Sequence, residues 1–74
     1  MVFIKVIKGN PIILDCHKHK EGGEYFRLVI DPDTKEVLEK PEHSDIDVSA
    51  AYSRVFGFLL SGEPLPDRLV AEWG

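Results

Sequence analysis

The chain is poor in cysteine, with a single residue, Cys16. One cysteine cannot build an internal disulfide framework, so the expected setting is a reducing compartment, the cytoplasm by default. Long apolar runs are also missing. The longest, such as Met1-Val2-Phe3-Ile4, reach four residues, far below a bilayer span. The first residues lack the cationic start and the cleavage site of a signal peptide. Positive charge is in deficit: nine Lys and Arg against thirteen Asp and Glu give −4, which counts against a general nucleic-acid binder. There is no internal repeat, low-complexity tract or linker. The expectation is therefore a protein that neither enters membranes nor binds nucleic acid.

What is present fits one small α+β domain over residues 1–74. Apolar residues make up 43% and charged residues 30%, the balance of an ordinary globular chain. At this length folding buries about 60% of the chain's surface, enough for one thin core. Charge is unevenly placed. Residues 1–20 carry Lys5, Lys8, Lys18 and Lys20 against Asp15, whereas Asp31 to Asp47 holds seven carboxylates against Lys35 and Lys40. Such halves either attract each other across a solvated surface or steer a charged partner.

Hydrophobic alternation organises the first half. Val2 to Lys8 is β-branched and aromatic, and Gly9-Asn10-Pro11 is turn chemistry. Ile12 to about His19 alternates, with Ile12, Leu14 and Cys16 on one face and Ile13, Asp15, His17 and His19 on the other. Glu24 to Ile30 sets Phe26, Leu28 and Ile30 against Tyr25, Arg27 and Val29. Asp31-Pro32-Asp33-Thr34 predicts a type I turn, with Asp first and Pro second. Lys35 to Lys40 returns as a fourth strand, but Val37 and Leu38 are adjacent and leave its register open.

From Ser44 the period becomes 3.6. Ser44-x-x-Asp47 predicts a capping box opening a helix from about Asp45 to Leu60. Val48, Tyr52, Val55 and Leu59 form its apolar stripe, widened by Ala51, Phe56, Phe58 and Leu60. Gly62 and Pro64 end it. Leu65, Leu69 and Trp73, at i, i+4 and i+8, predict a short terminal helix with Pro66 in its first turn. The expected fold is thus a three- to four-stranded antiparallel meander, a main helix on one sheet face and a short C-terminal helix.

Two functional leads follow. The first is metal binding. Asp15-x-His17-x-His19 projects three ligand types from one strand face, and His43 could add a fourth. Cys16 points the other way, as a small buried hydrophobe. The run from His17 to Ile30 resembles the first metal motif of the cupin family, with His17-x-His19, then Glu24 after four residues, then an apolar strand. The glycines of that motif would fall at Pro11 and Asp31, no second motif follows, and the chain is too short for a double-stranded barrel, so it is not assigned to the family.

The second lead is a contact surface. The face of the sheet turned away from the helix mixes Phe3, Ile7, Ile13, Tyr25 and Val29 with Lys5, Asp15 and Arg27. The helix face opposite the apolar stripe is small (Ala50, Ser53, Gly57 and Ser61, with Arg54 the one large side chain). Gly57 in mid-helix costs about 1 kcal/mol relative to alanine. Either residues 65–73 cover one of these surfaces or a second copy of the chain does. No catalytic set emerges: the serines lack a G-x-S-x-G context, and Cys16 and His17 face opposite ways. The leading expectation is a non-enzymatic protein-interaction domain without a cofactor, acting on a protein partner or on itself. The alternative is a metal-binding protein.

Overall fold

The computed structural model describes residues 1–18, 24–43 and 45–72. Its elements are β1 (Val2–Ile7), β2 (Ile12–Lys18), β3 (Tyr25–Ile30), β4 (Val37–Glu39), α1 (Ile46–Ser61) and β5 (Arg68–Ala71). They form an antiparallel five-stranded sheet in the order β4-β3-β2-β1-β5, with α1 as the only helix among the described residues. The α+β class and the antiparallel sheet are as the sequence predicts.

The core lies between α1 and one sheet face, and alternation fills it. Val2, Ile4 and Val6 of β1, Ile12, Leu14 and Cys16 of β2, and Phe26, Leu28 and Ile30 of β3 all point inward. Val48, Ala51 and Val55 of α1 meet them, with Tyr52, Phe56, Phe58 and Leu59 half-buried at the margins. The widened stripe ends before Leu60, which is 72% exposed. Tyr52 and Phe56 stack with ring centroids 4.3 Å apart, one helical turn along the same flank.

Turn chemistry closes the meander. Gly9 has φ 152°, a backbone conformation that L side chains rarely adopt, in the loop joining β1 to β2. Asp31 Oδ1 accepts from the amides of Asp33 and Thr34 at 2.8 and 3.2 Å, and Lys35 N–H donates to the Asp31 carbonyl at 2.8 Å. The side chain thus fixes the turn as an Asx motif. The open register of β4 resolves with a shift between Val29 and Ile30: Ile30 opposes Val37 and Val29 opposes Glu39. Val37 therefore packs against the core and Leu38 is exposed.

The helix starts one residue later than the capping-box reading. Asp45 is the N-cap and accepts from Val48 N–H at 3.1 Å, while Ser44 lies outside the described residues. Gly62 closes the helix at φ 77°, its amide donating to the Phe58 carbonyl.

The predicted terminal helix is instead a strand. Residues 68–71 pair antiparallel with β1, Ile4 opposite Leu69 and Val2 opposite Ala71. A spacing of four, as between Leu65 and Leu69, satisfies a strand as well as a helix. The exposed–buried alternation of Arg68, Leu69, Val70 and Ala71 decides for the strand. The gain is that the second edge of β1 is paired, which a helix there would leave open. Trp73 lies outside the described residues.

Cys16 is wholly buried, and that burial, aided by the Asp15 charge, pushes its thiol up to about 12. Its expected behaviour is slow labelling by a thiol reagent in the native state and fast labelling in urea. Native labelling as fast as in urea would contradict the inward facing of β2.

Candidate interaction surface

With β5 in the sheet, no described element lies over the face opposite α1. Strand register sorts that face into three cross-strand rows. Val70, Phe3, His17 and Tyr25 form the first. Arg68, Lys5, Asp15 and Arg27 form the second. Ile7, Ile13, Val29 and Glu39 form the third. A charged row with three cations and one carboxylate is flanked by two largely apolar rows. Tyr25 is 50% exposed, and Ile7 and Val70 are also exposed, while Phe3, Ile13 and Val29 are half-buried by their neighbours.

Side-chain contacts stiffen the β2–β3 half of the face. Tyr25 Oη donates to Asp15 Oδ1 at 2.7 Å, and Arg27 Nε donates to Tyr25 Oη at 3.2 Å. Arg27 Nε also stands 3.5 Å from Asp15 Oδ1. The bond to Asp15 chiefly raises the Tyr25 hydroxyl above its ordinary value. His17 and Tyr25 rings sit 5.5 Å apart and tilted by 55°. Beside them Phe3, Lys5, His17, Arg68 and Val70 border a shallow groove of about 460 Å³.

Phe3, Ile7, Ile13, Tyr25 and Val29 thus share one surface. Gly57 does not join them, because α1 lies on the other side of the sheet. The two small-residue and apolar features read from the sequence are separate surfaces.

Asp15 and His17 of the predicted metal row share the open face. Asp15 is engaged by Tyr25 and Arg27, and His17 packs on Tyr25. His43 lies in the segment before α1, and His19 is outside the described residues. Among the described residues no three His, Cys, Asp or Glu side chains are grouped to hold a metal ion. The open sheet with one helix also differs from the double-stranded barrel that the His17–Ile30 resemblance would imply.

A cluster that the sequence reading missed lies at the other end of β2. Lys18 Nζ donates to Asp45 Oδ2 at 2.6 Å, with Asp47 Oδ2 and Glu24 Oε2 each at 3.9 Å. Asp47 is buried, and its Oδ1 has no hydrogen-bond partner among the described residues. Lys18 has the same strand parity as Leu14 and Cys16, so it turns toward the helix side, where the acidic first turn of α1 meets it. That parity was the available signal. The basic start and acidic middle of the chain attract each other here, and Lys8 also meets Asp67, near the other end of the chain, at 3.5 Å.

The Lys18–Asp45 bond, followed by the Val48 amide, holds the Asp45 carboxyl below its ordinary value, and the same bond holds Lys18 above its own against desolvation. A lowered carboxyl contributes stability above its unfolded pKa of about 3.9, lost as pH falls through the folded value. A raised lysine contributes below about 10.4, lost as pH rises through the folded value. Lys18→Met should therefore lower the urea midpoint across the neutral range and leave buried Asp47 without this ion-pair partner. The gap from wild type should close in strong acid. A gap that stays constant down to the acid limit would remove the ion pair as its cause.

No helix among the described residues is long and apolar enough to cross a membrane. Comparison with known proteins returns no matching family model, no matching curated protein and no matching solved structure.

Proposed function

We propose that this is a non-enzymatic protein-interaction domain whose contact surface is the sheet face opposite α1. The observation that carries the reading is the row pattern: aromatic and aliphatic side chains on both sides of Lys5, Asp15, Arg27 and Arg68, with no described element over them. A surface of exposed apolar groups interleaved with charge marks contact sites on soluble proteins. Arg and Tyr are also the side chains that dominate binding energy at interfaces. The excess of cations in the middle row suits a protein partner that presents carboxylates between apolar groups, although the chain as a whole is −4. Cys16 and His17 lie on opposite sheet faces and form no nucleophile–base pair.

Site-specific photo-crosslinking tests it. A benzophenone amino acid at Tyr25 should give a discrete protein adduct in cells, lost when Phe3→Glu is added. The same group at Leu60, exposed on α1, should give none. Equal adducts from both positions, or an adduct destroyed by nuclease, would overturn the proposal.

A further inference from the structure

The two edges of the sheet are built differently. β4 is three residues long, carries a register shift against β3 and is followed by Pro41 after one residue. Those are devices that blunt an edge against further pairing. Pro66 likewise precedes β5 by one residue, but β5 carries no register shift against β1, and it pairs with β1 alone among the described residues. The Val6 amide donates to the Asp67 carbonyl at 2.8 Å, with Ile4 opposite Leu69 and Val2 opposite Ala71. In an antiparallel ladder the backbone groups of alternate residues point to opposite neighbours. Those of Arg68, Val70 and Glu72 therefore point away from β1, to the open edge.

The sequence on this edge complements itself. When Arg68-Leu69-Val70-Ala71-Glu72 runs antiparallel to a second copy about a two-fold axis at Val70, Arg68 faces the Glu72 of the other copy, twice. On the inner face Leu69 meets the small Ala71 of the other copy, also twice. Val70, 42% exposed, meets its counterpart on the axis. An isologous interface requires this kind of self-complementarity.

The helix beside the edge agrees. α1 packs against β1 and β5. An axis above the β1–β5 seam lies one strand spacing from the two-fold, so the symmetry sets the two copies of α1 roughly 10 Å apart. Packed helices lie at 8–10 Å, and the close end of that range needs small side chains. Ala50, Ser53 and Gly57, with the 58% exposed Ile46 and with Arg54 as the one long side chain, line a hollow of about 450 Å³ between α1 and the end of β5. A Cβ at Gly57 would meet nothing within 4 Å, so nothing within the described chain calls for glycine at this costly mid-helix position.

We propose that the β5 edge is a homodimer interface: a second copy adds its own β5 in antiparallel register about Val70, making one ten-stranded sheet with the two α1 helices side by side over the seam. This goes beyond the sheet-face reading and does not depend on it: Arg68 and Val70 border both surfaces, but the edge contact runs through the β5 backbone and the Ala50–Gly57 flank, away from Tyr25 and Ile13.

Sedimentation velocity and native mass spectrometry of the full chain test it. The wild type is expected as a dimer of two 8.4 kDa chains. Arg68→Glu sets like charges opposite each other twice and should weaken the dimer by about tenfold or more. Arg68→Glu/Glu72→Arg should restore it. Gly57→Leu should also weaken it while circular dichroism shows helix content kept or raised, because leucine is the better helix former. A wild type that stays monomeric up to sub-millimolar concentration would overturn the proposal. So would a dimer untouched by either single change, or a double variant that fails to recover. Capture of a foreign strand by a monomeric wild type would equally overturn it.

Discussion

Val55→Asp should leave the chain without a cooperative thermal transition. Val55 is fully buried at the centre of the α1 stripe, among Val48, Ala51 and the inward rows of the sheet. The variant removes an apolar side chain from this core and places a carboxylate there with no counter-charge. A buried, uncompensated charge costs about 3–5 kcal/mol, to which the lost packing adds. A domain of this length has roughly 4–11 kcal/mol of stability in total, at the usual increment per residue. The loss is thus comparable with the whole. Ser53→Asp, two residues earlier on the exposed side of the same helix, should melt close to the wild type when both are diluted to the monomer. Circular dichroism against temperature distinguishes the two. A sigmoidal melt for Val55→Asp within a few degrees of wild type would mean that α1 does not seal this core.

The part of the fold that could be read in the sequence is the part governed by local periodicity. Ile12, Leu14 and Cys16 against Ile13, Asp15 and His17 is a period of two, and a single helix on one side of the sheet is enough to turn that pattern into inside and outside. The Asp31-Pro32 turn and the Gly62 cap are likewise local, since each depends on φ values its own residues favour. The outer surface of Phe3, Ile7, Ile13, Tyr25 and Val29 follows from the same alternation, which is why it could be named before the structure.

What could not be read depends on partners distant in sequence. Val37 and Leu38 were ambiguous because a register shift in the pairing with β3, not the strand's own pattern, decides which one faces the core. The Lys18–Asp45–Asp47 cluster needs the end of β2 and the start of α1 to meet, 27 residues apart. What covers the small-residue helix face around Gly57 has no signal in the sequence, because local periodicity shows a face and not its neighbour. The cap moved from Ser44 to Asp45 because both residue types serve as N-caps, and local preference does not separate neighbours.

The terminal segment gives the sharpest test of strand against helix, and Ala71→Asp is the decisive change. In the helix predicted from Leu65, Leu69 and Trp73, residue 71 stands about 200° round from Leu69, on the solvent side, and a carboxylate there would cost little. In β5 it shares the inward face with Leu69, only 2% exposed and opposite Val2 of β1. An unpaired carboxylate at that position should cost about 3 kcal/mol or more. For a domain this small that lowers the melting temperature by more than about 12 °C. Val70→Asp, one residue earlier and pointing outward, should cost far less, because its side chain stays in water next to Phe3 on the open face. In the helix the order would weaken or reverse, with residue 70 about 100° from Leu69 and nearer the buried stripe. Urea denaturation of both variants, each taken to the monomer by dilution, measures the difference without a contribution from the edge contact. Equal midpoints for Ala71→Asp and wild type would return residues 68–71 to a helix and leave the second edge of β1 unpaired.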